Sequence, residues 1–70
     1  MKYLVVIEKT RTGFSAYSPD LEGCVAAART RPAVKRLMKE AIAMHIDGLR
    51  EDGRKPPKPS SSSDYVSIPR

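Results

Sequence analysis

The sequence has few of the residues that cross-link small proteins. It contains one cysteine, one histidine and no tryptophan among 70 residues. One cysteine excludes an internal disulfide, and no His/Cys cluster suggests a structural metal. A chain this short buries only about 60% of its unfolded surface. Small domains that have neither disulfides nor a structural metal commonly oligomerise. We therefore predict one small domain with no cofactor and no metal, assembled as a homodimer or larger homo-oligomer.

Long apolar runs are missing as well. The N-terminal run YLVVI covers only residues 3–7, which is too short for a signal-peptide core or a membrane span. A free cysteine without an export signal fits a reducing compartment, so we expect a cytoplasmic protein with no membrane partner. The net charge of +5, from 13 basic and 8 acidic residues, favours acidic partners, nucleic acid included.

Three stretches have the composition of strands. Residues 2–9, KYLVVIEK, are rich in β-branched and aromatic side chains, and residues 14–18, FSAYS, alternate as a half-buried strand does. The TRTG sequence between them predicts a turn in which Gly13 offers a positive φ. The first two strands should therefore form an antiparallel hairpin. The three alanines of residues 24–29, CVAAAR, would also suit a helix. Because the signals for a helix start come directly after this segment, we predict that it forms a third strand.

One amphipathic helix is predicted from Arg31 to about Asp52. Thr30 is suited to the N-cap, Pro32 to the first turn and Gly53 to the residue that ends the helix. The residues that recur at helical spacing are Val34, Leu37, Met38, Ala41, Ile42, His45, Ile46 and Leu49. This stripe is broad enough to cover a three-stranded sheet.

The predicted fold class is α+β, with an antiparallel three-stranded sheet covered by one long helix. Residues 1–54 form the β-β-β-α core, residues 55–63 a Pro/Ser-rich linker, and residues 64–70 a short C-terminal strand, within a single domain. The linker, KPPKPSSSS, is long enough for the last strand either to close its own sheet or to complete that of a neighbouring subunit. We expect homo-oligomers to form through such strand edges.

The segment PDLEGC, residues 19–24, allows two interpretations. Cys24 could be a nucleophile, but catalytic thiols need a nearby base and a stabilised thiolate. The neighbouring Asp20 and Glu22 are anions and would raise the pKa of the thiol. Pro19 and Gly23 favour a turn, so the segment is predicted to be a turn followed by a strand that starts at Cys24.

No other residues form a catalytic set. His45 is the only histidine, and no carboxylate lies one helical turn from it, which favours a structural or interface role. Two-metal hydrolysis needs several converging carboxylates. The candidate acids lie on a strand end, a turn and a helix without a recognisable pattern: Glu8, Asp20, Glu22 and Glu40. We predict no catalytic residue and no enzymatic activity.

Basic residues are concentrated at the start of the helix. The cluster consists of Arg29, Arg31, Lys35, Arg36 and Lys39. Cations are slightly unfavourable at a helix N-terminus because of the helix dipole. This cost is small, and the contribution of the cluster to solubility is sufficient to explain it. The alternative is a binding surface for phosphate or for an acidic protein. One phenylalanine, three tyrosines and no tryptophan argue against single-strand binding by base stacking.

The whole pattern resembles the HicB-like antitoxins of bacterial and archaeal toxin–antitoxin pairs. The resemblance is carried by YLVVIEK, GFSAYSPDLEGCVAAA, the single long helix, and LREDGRKPPKPSS before a last short segment. It implies a truncated ribonuclease-H-like β-β-β-α-β unit that assembles into dimers or larger species. It also implies an antitoxin that neutralises a small HicA-type mRNA-cleaving toxin by stoichiometric protein binding.

This sequence departs from the family pattern in three ways. The helix start is basic here, RTRPAVKRLMK, whereas in many relatives it carries acidic residues. Many relatives carry a C-terminal DNA-binding domain, and none is recognisable in these 70 residues. Family antitoxins are often acidic, whereas this chain is basic. A stand-alone regulatory or nucleic-acid-binding module that uses the basic cluster is the alternative function.

Overall fold

The computed structural model is a three-stranded antiparallel sheet followed by one long helix. The elements are β1 (Val6–Lys9), β2 (Phe14–Tyr17), β3 (Val25–Ala28) and α1 (Arg31–Glu51). The strand order is β1-β2-β3, with β2 in the centre. The predicted α+β class, the first hairpin and the single long helix are confirmed.

The first strand is shorter than predicted. Its ladder begins at Val6, which lies opposite Tyr17, the last residue of β2. Beyond Tyr17 the chain turns at Pro19, so residues 2–5 have no ladder partner on that side. The Ser18 hydroxyl instead donates a hydrogen bond of 2.9 Å to the Leu4 carbonyl, which keeps this segment in line with the sheet.

The turn between β1 and β2 uses its glycine differently from the prediction. Only Gly23 and Gly53 have a positive φ, so Gly13 does not need its conformational freedom. Thr10 N–H donates to the Gly13 carbonyl at 2.8 Å, and Gly13 N–H donates to Thr10 Oγ1 at 3.1 Å. Gly13 is required because a side chain there would collide with the backbone at the end of β3.

The core lies between α1 and one face of the sheet. Its buried residues are Ala16, Leu21, Cys24, Val34, Met38 and Ile46. Val34 and Met38 are completely buried, one turn apart on α1. Leu21, from the loop between β2 and β3, is 1% exposed and was not recognised as a core residue from the sequence. Short alanines on β2 and β3 let the helix approach the sheet closely.

Both ends of α1 are capped as the sequence predicts. The Thr30 side chain accepts a hydrogen bond from Ala33 N–H at 3.2 Å, which satisfies one of the free donors of the first turn. At the other end Gly53 has φ +73. Its N–H donates to the Arg50 carbonyl, and Arg54 N–H donates to the Leu49 carbonyl, the hydrogen-bond pattern of a Schellman motif.

The position of α1 over the sheet is asymmetric. The helix packs mainly against β3 and β2 and touches β1 only slightly. Tyr3, Val5 and Ile7 contact the core but stay half-buried. One edge of the helix-facing surface therefore remains open along β1.

The predicted C-terminal strand is not formed. Residues 54–70 contain no helix or strand, which corrects the strand predicted for residues 64–70. Three of the first residues of this tail are prolines, which have no N–H to donate to a ladder. The tail is held instead by side-chain hydrogen bonds, and Tyr65, Val66 and Ile68 are left exposed.

No helix in the structure combines the length and the apolar character that crossing a bilayer requires.

We predict that Gly13→Ala destabilises the fold by about 1–3 kcal/mol, the range typical of overpacking. An added Cβ would meet the Ala28 carbonyl oxygen and lie 2.8 Å from Arg29 Cα. Gly48→Ala is the matched control, since nothing lies within 4 Å of a Cβ there and a helical alanine should stabilise by about 0.5–1 kcal/mol. Urea unfolding measures both variants, and equal effects would contradict the steric account.

Candidate protein-binding site

An open groove runs between the N-terminal residues 1–5, which precede β1, and α1. Its apolar floor is formed by Met1, Tyr3, Val5, Pro32 and Ile42, and its cationic wall by Lys35, Arg36 and Lys39. The floor is exposed because α1 lies over β2 and β3 and leaves β1 partly uncovered. The groove therefore follows from the offset of the helix.

The cationic wall follows from helix geometry. Lys35 and Lys39 are four residues apart, so their side chains project from the same face of α1. Arg36 adds a third cation beside them, and all three side chains are exposed. No carboxylate lines the groove, so its wall presents uncompensated positive charge next to apolar surface.

The five-residue basic cluster predicted from the sequence does not converge on one site. Lys35, Arg36 and Lys39 share the groove. Arg29 borders a separate recess at the far end of the β1–β2 hairpin, and Arg31 borders another, between residues 4–7 and residues 63–65 of the tail. The structure thus brings together three of the five predicted residues.

The turn that contains Asp20 anchors the C-terminal tail. Ser61 donates to the Asp20 carboxylate through its hydroxyl at 2.7 Å and through its N–H at 3.1 Å. Ser60 donates in the same two ways, at 3.0 Å and 3.1 Å. One carboxylate thereby binds two consecutive residues that lie 40 and 41 positions away along the chain.

These donors change the acidity of Asp20. Hydrogen bonds favour the ionised form of a carboxyl group. Those from Ser61, side chain first and then backbone, together with those from Ser60, lower the pKa of Asp20 from 3.8 to about 2. At neutral pH the carboxylate is ionised and holds the tail as an acceptor of four hydrogen bonds.

A second contact connects the tail to the groove. The Tyr3 hydroxyl donates a hydrogen bond of 2.5 Å to the Pro57 carbonyl. Tyr3 also forms part of the groove floor, so the start of the tail is fixed next to the groove. Sequence reasoning missed the anchoring roles of Tyr3 and Asp20. The serine run after the prolines is the only local feature that suggests a carboxylate partner.

The remaining candidate groups have no arrangement for catalysis. Gly23 has φ +85, and Cys24 lies buried directly before β3, where burial raises the pKa of its thiol. His45 lies in an open recess beside Asp20 and Glu22. No group of three or more His, Cys, Asp or Glu side chains could hold a metal ion.

Comparison with known families gives one clear match. The model of the family described as HicB_like antitoxin of bacterial toxin-antitoxin system covers residues 3–70. The solved structures include a chain of a HicA3 and HicB3 toxin-antitoxin complex, similar over 86% of this chain and 70% of that one, with a TM-score of 0.69 and 37% identity. An antitoxin HicB3 crystal structure matches 86% of this chain and 44% of that one, with a TM-score of 0.72 and 37% identity.

Curated relatives come from a phage, a bacterium and an archaeon. An uncharacterized 14.9 kDa protein from the rep-hol intergenic region of Haemophilus phage HP1 is 36% identical over 99% of this chain and 52% of its own length. A UPF0150 protein of Helicobacter pylori is 38% identical over 67% of this chain and 65% of its own length. UPF0150 protein Ta0767 of Thermoplasma acidophilum is 34% identical over 83% of this chain and 86% of its own length. The chain thus spans between half and two thirds of the first two relatives.

We predict that the tail anchor responds to acid only at very low pH. Because the folded-state pKa of Asp20 is depressed, the anchor stabilises the folded chain above the ordinary pKa of 3.8 and is lost as the pH falls through about 2. The amide NMR signals of Ser60 and Ser61 should titrate with a midpoint near 2. Asp20→Asn should remove this titration, whereas Glu22→Gln, next to the anchor, should leave it. A midpoint near 3.8 would contradict the anchor.

Proposed function

Because the chain belongs to the family of HicB-like antitoxins of bacterial toxin–antitoxin systems, we propose that it neutralises a small HicA-type mRNA-cleaving toxin by stoichiometric binding. The observation that carries the proposal is the similarity to a chain of a HicA3 and HicB3 complex, which extends over 86% of this chain at 37% identity. The similarity includes the sheet and the helix, the only regular elements available to bind a partner.

The groove between residues 1–5 and α1 is the surface that best suits such a partner. Protein interfaces combine a buried apolar centre with a polar, solvated rim. The groove has this arrangement, with Tyr3, Val5 and Ile42 in the floor and Lys35 and Lys39 in the wall. Cations along a rim mainly accelerate association and fix orientation, whereas the exposed apolar floor supplies the area that a partner buries.

Binding rather than catalysis accounts for the chemistry of the chain. The buried Cys24 thiol has a raised pKa, the opposite of what a nucleophilic thiolate requires. The carboxylate of Asp20 is occupied by two serines and does not converge with Glu8 or Glu40. A protein of this kind would act by covering the partner.

Nucleic-acid binding is the weaker alternative. Phosphate recognition needs cations distributed along a backbone path, but Arg29 and Arg31 border other recesses than Lys35, Arg36 and Lys39. The three that converge do so around an apolar floor. This arrangement favours a protein partner over RNA or DNA.

We predict that the triple variant Lys35→Gln/Arg36→Gln/Lys39→Gln binds the toxin about tenfold more weakly. Exposed charge pairs contribute up to about 1 kcal/mol each to the binding free energy. If each of three pairs contributes roughly half of that, their loss reduces the affinity about tenfold. The partner is the small protein encoded next to this gene, and calorimetry of the purified pair measures the affinity.

The control is Arg54→Gln/Lys55→Gln/Lys58→Gln, which removes two lysines and one arginine outside the groove. It should change the affinity much less than the groove variant does. Equal losses in both variants would show that net charge alone attracts the toxin. No complex with the neighbouring gene product at all would refute the proposed function.

We predict further that the purified chain does not cleave RNA. Single- and double-stranded RNA incubated with Mg²⁺ or Mn²⁺ should stay intact, because no converging carboxylates are available to hold a metal pair. The decisive control is a preparation carrying Glu8→Ala and Asp20→Ala. Cleavage that disappears in this control would identify an enzyme.

A further inference from the structure

The three methionines of the chain differ sharply in exposure. Met1 is 76% exposed and Met44 75%, whereas Met38 is completely buried in the core. Oxidants convert methionine to methionine sulfoxide, and the reaction requires access to the sulfur. Of the two accessible thioethers, only that of Met1 lies in the groove. Met44 and Met38 are therefore an exposed and a protected reference for the same chemistry.

The Met1 thioether shares a hydrogen-bond donor with the tail. The Tyr3 hydroxyl donates to the Pro57 carbonyl at 2.5 Å and also lies 3.6 Å from Met1 Sδ. A hydroxyl has one hydrogen to donate, and a thioether sulfur is only a weak acceptor. The carbonyl therefore takes the hydrogen bond, and the sulfur lies beside it as a poor competitor.

Oxidation of the sulfur reverses this competition. Hydrogen peroxide transfers one oxygen atom to Sδ: a sulfur lone pair attacks the peroxide, and the O–O bond breaks. The hydroxide released removes the proton from the new S–OH group and leaves as water, so that the sulfur has lost two electrons and the peroxide has gained them. The S=O group is polar and a much stronger acceptor than the thioether. The Met1 side chain is unbranched and flexible, so its new oxygen can turn towards the Tyr3 hydroxyl.

We propose that Met1 is a peroxide-oxidation site that controls both the groove and the start of the tail. In the sulfoxide form the Tyr3 hydroxyl donates to the S=O oxygen, and the Pro57 carbonyl is left to water. The same step places a polar group in the apolar floor of the groove. The effect on the tail follows from the structure alone, whereas the effect on partner binding rests on the proposed function.

The modification is reversible. Methionine sulfoxide reductases, one for each sulfoxide epimer, return the sulfur to the thioether, with two electrons from thiols and release of the oxygen as water. The reduced chain therefore offers an apolar groove beside a fixed tail. The oxidised chain offers a polar groove beside a tail that has lost one of its contacts.

Mass spectrometry and amide NMR of the full chain without a partner test the site. Intact mass establishes first that Met1 is retained, and peptide mapping after peroxide treatment should find oxygen on Met1 and Met44 but not on Met38. The NMR sample is Met44→Leu, which leaves Met1 as the one accessible thioether. Its oxidation should shift the amide signal of Lys58, which shares a peptide group with the Pro57 carbonyl.

The shift should be local to that contact. The amides of Ser60 and Ser61 should keep their signals, because the Asp20 carboxylate holds them independently. Tyr3→Phe, which lacks the hydroxyl, should show no shift at Lys58 on oxidation. A general loss of folding would instead move all these signals together.

Calorimetry with the protein encoded next to this gene measures the effect on the groove. The oxidised Met44→Leu chain should bind about tenfold more weakly than the reduced one, since burial of a methionine side chain is lost. Treatment with both reductases should restore the affinity. The matched control is Met1→Leu/Met44→Leu, released from a cleavable N-terminal fusion. Leucine replaces methionine at similar volume, so this variant should bind equally well before and after peroxide.

Three results would overturn the proposal. They are oxidation of Met1 no faster than that of Met38, a Lys58 amide that does not move in the sulfoxide form, and unchanged affinity of the oxidised Met44→Leu chain. If the reduced chain binds no partner, the proposed function fails, while the Lys58 amide still decides whether Met1 controls the tail.

Discussion

The packing of a single helix on a single sheet is the interaction on which the rest of the structure depends. Val34 and Met38 are completely buried and Ile46 nearly so, and they join α1 to a sheet of only three short strands. There is no third layer and no disulfide, so the packing of the helix on the sheet supplies most of the apolar burial that opposes chain entropy. The groove lies at the border of this interface.

The proposed binding surface results from the asymmetry of this interface. A helix centred on the sheet would cover β1, and no groove would remain. Because α1 lies over β2 and β3, Tyr3 and Val5 stay half-buried. Lys35 and Lys39 line the same groove as these two residues. A small domain thus exposes apolar surface where a partner can bury it, at the expense of its own stability. This is consistent with the proposal that the chain, a member of the HicB-like antitoxin family, binds a protein partner.

The tail adds a polar attachment to this apolar core. Asp20 is part of the turn that positions Leu21 and Cys24 for burial, and the same turn holds Ser60 and Ser61. Tyr3 connects the tail to the groove floor through Pro57. The loop, the tail and the groove are therefore connected by hydrogen bonds.

Local sequence patterns were sufficient to predict the secondary-structure elements and the fold class. Periodicity placed α1 to within one residue, because Thr30 and Gly53 form caps from neighbouring atoms, and alternating polarity located the hairpin. Which cations converge and where residues 57–61 are anchored depend on contacts between distant parts of the chain. Tertiary structure also decided that Gly13 is needed for a close approach and that residues 64–70 form no strand. These outcomes depend on contacts between residues up to 54 positions apart, which no local pattern encodes.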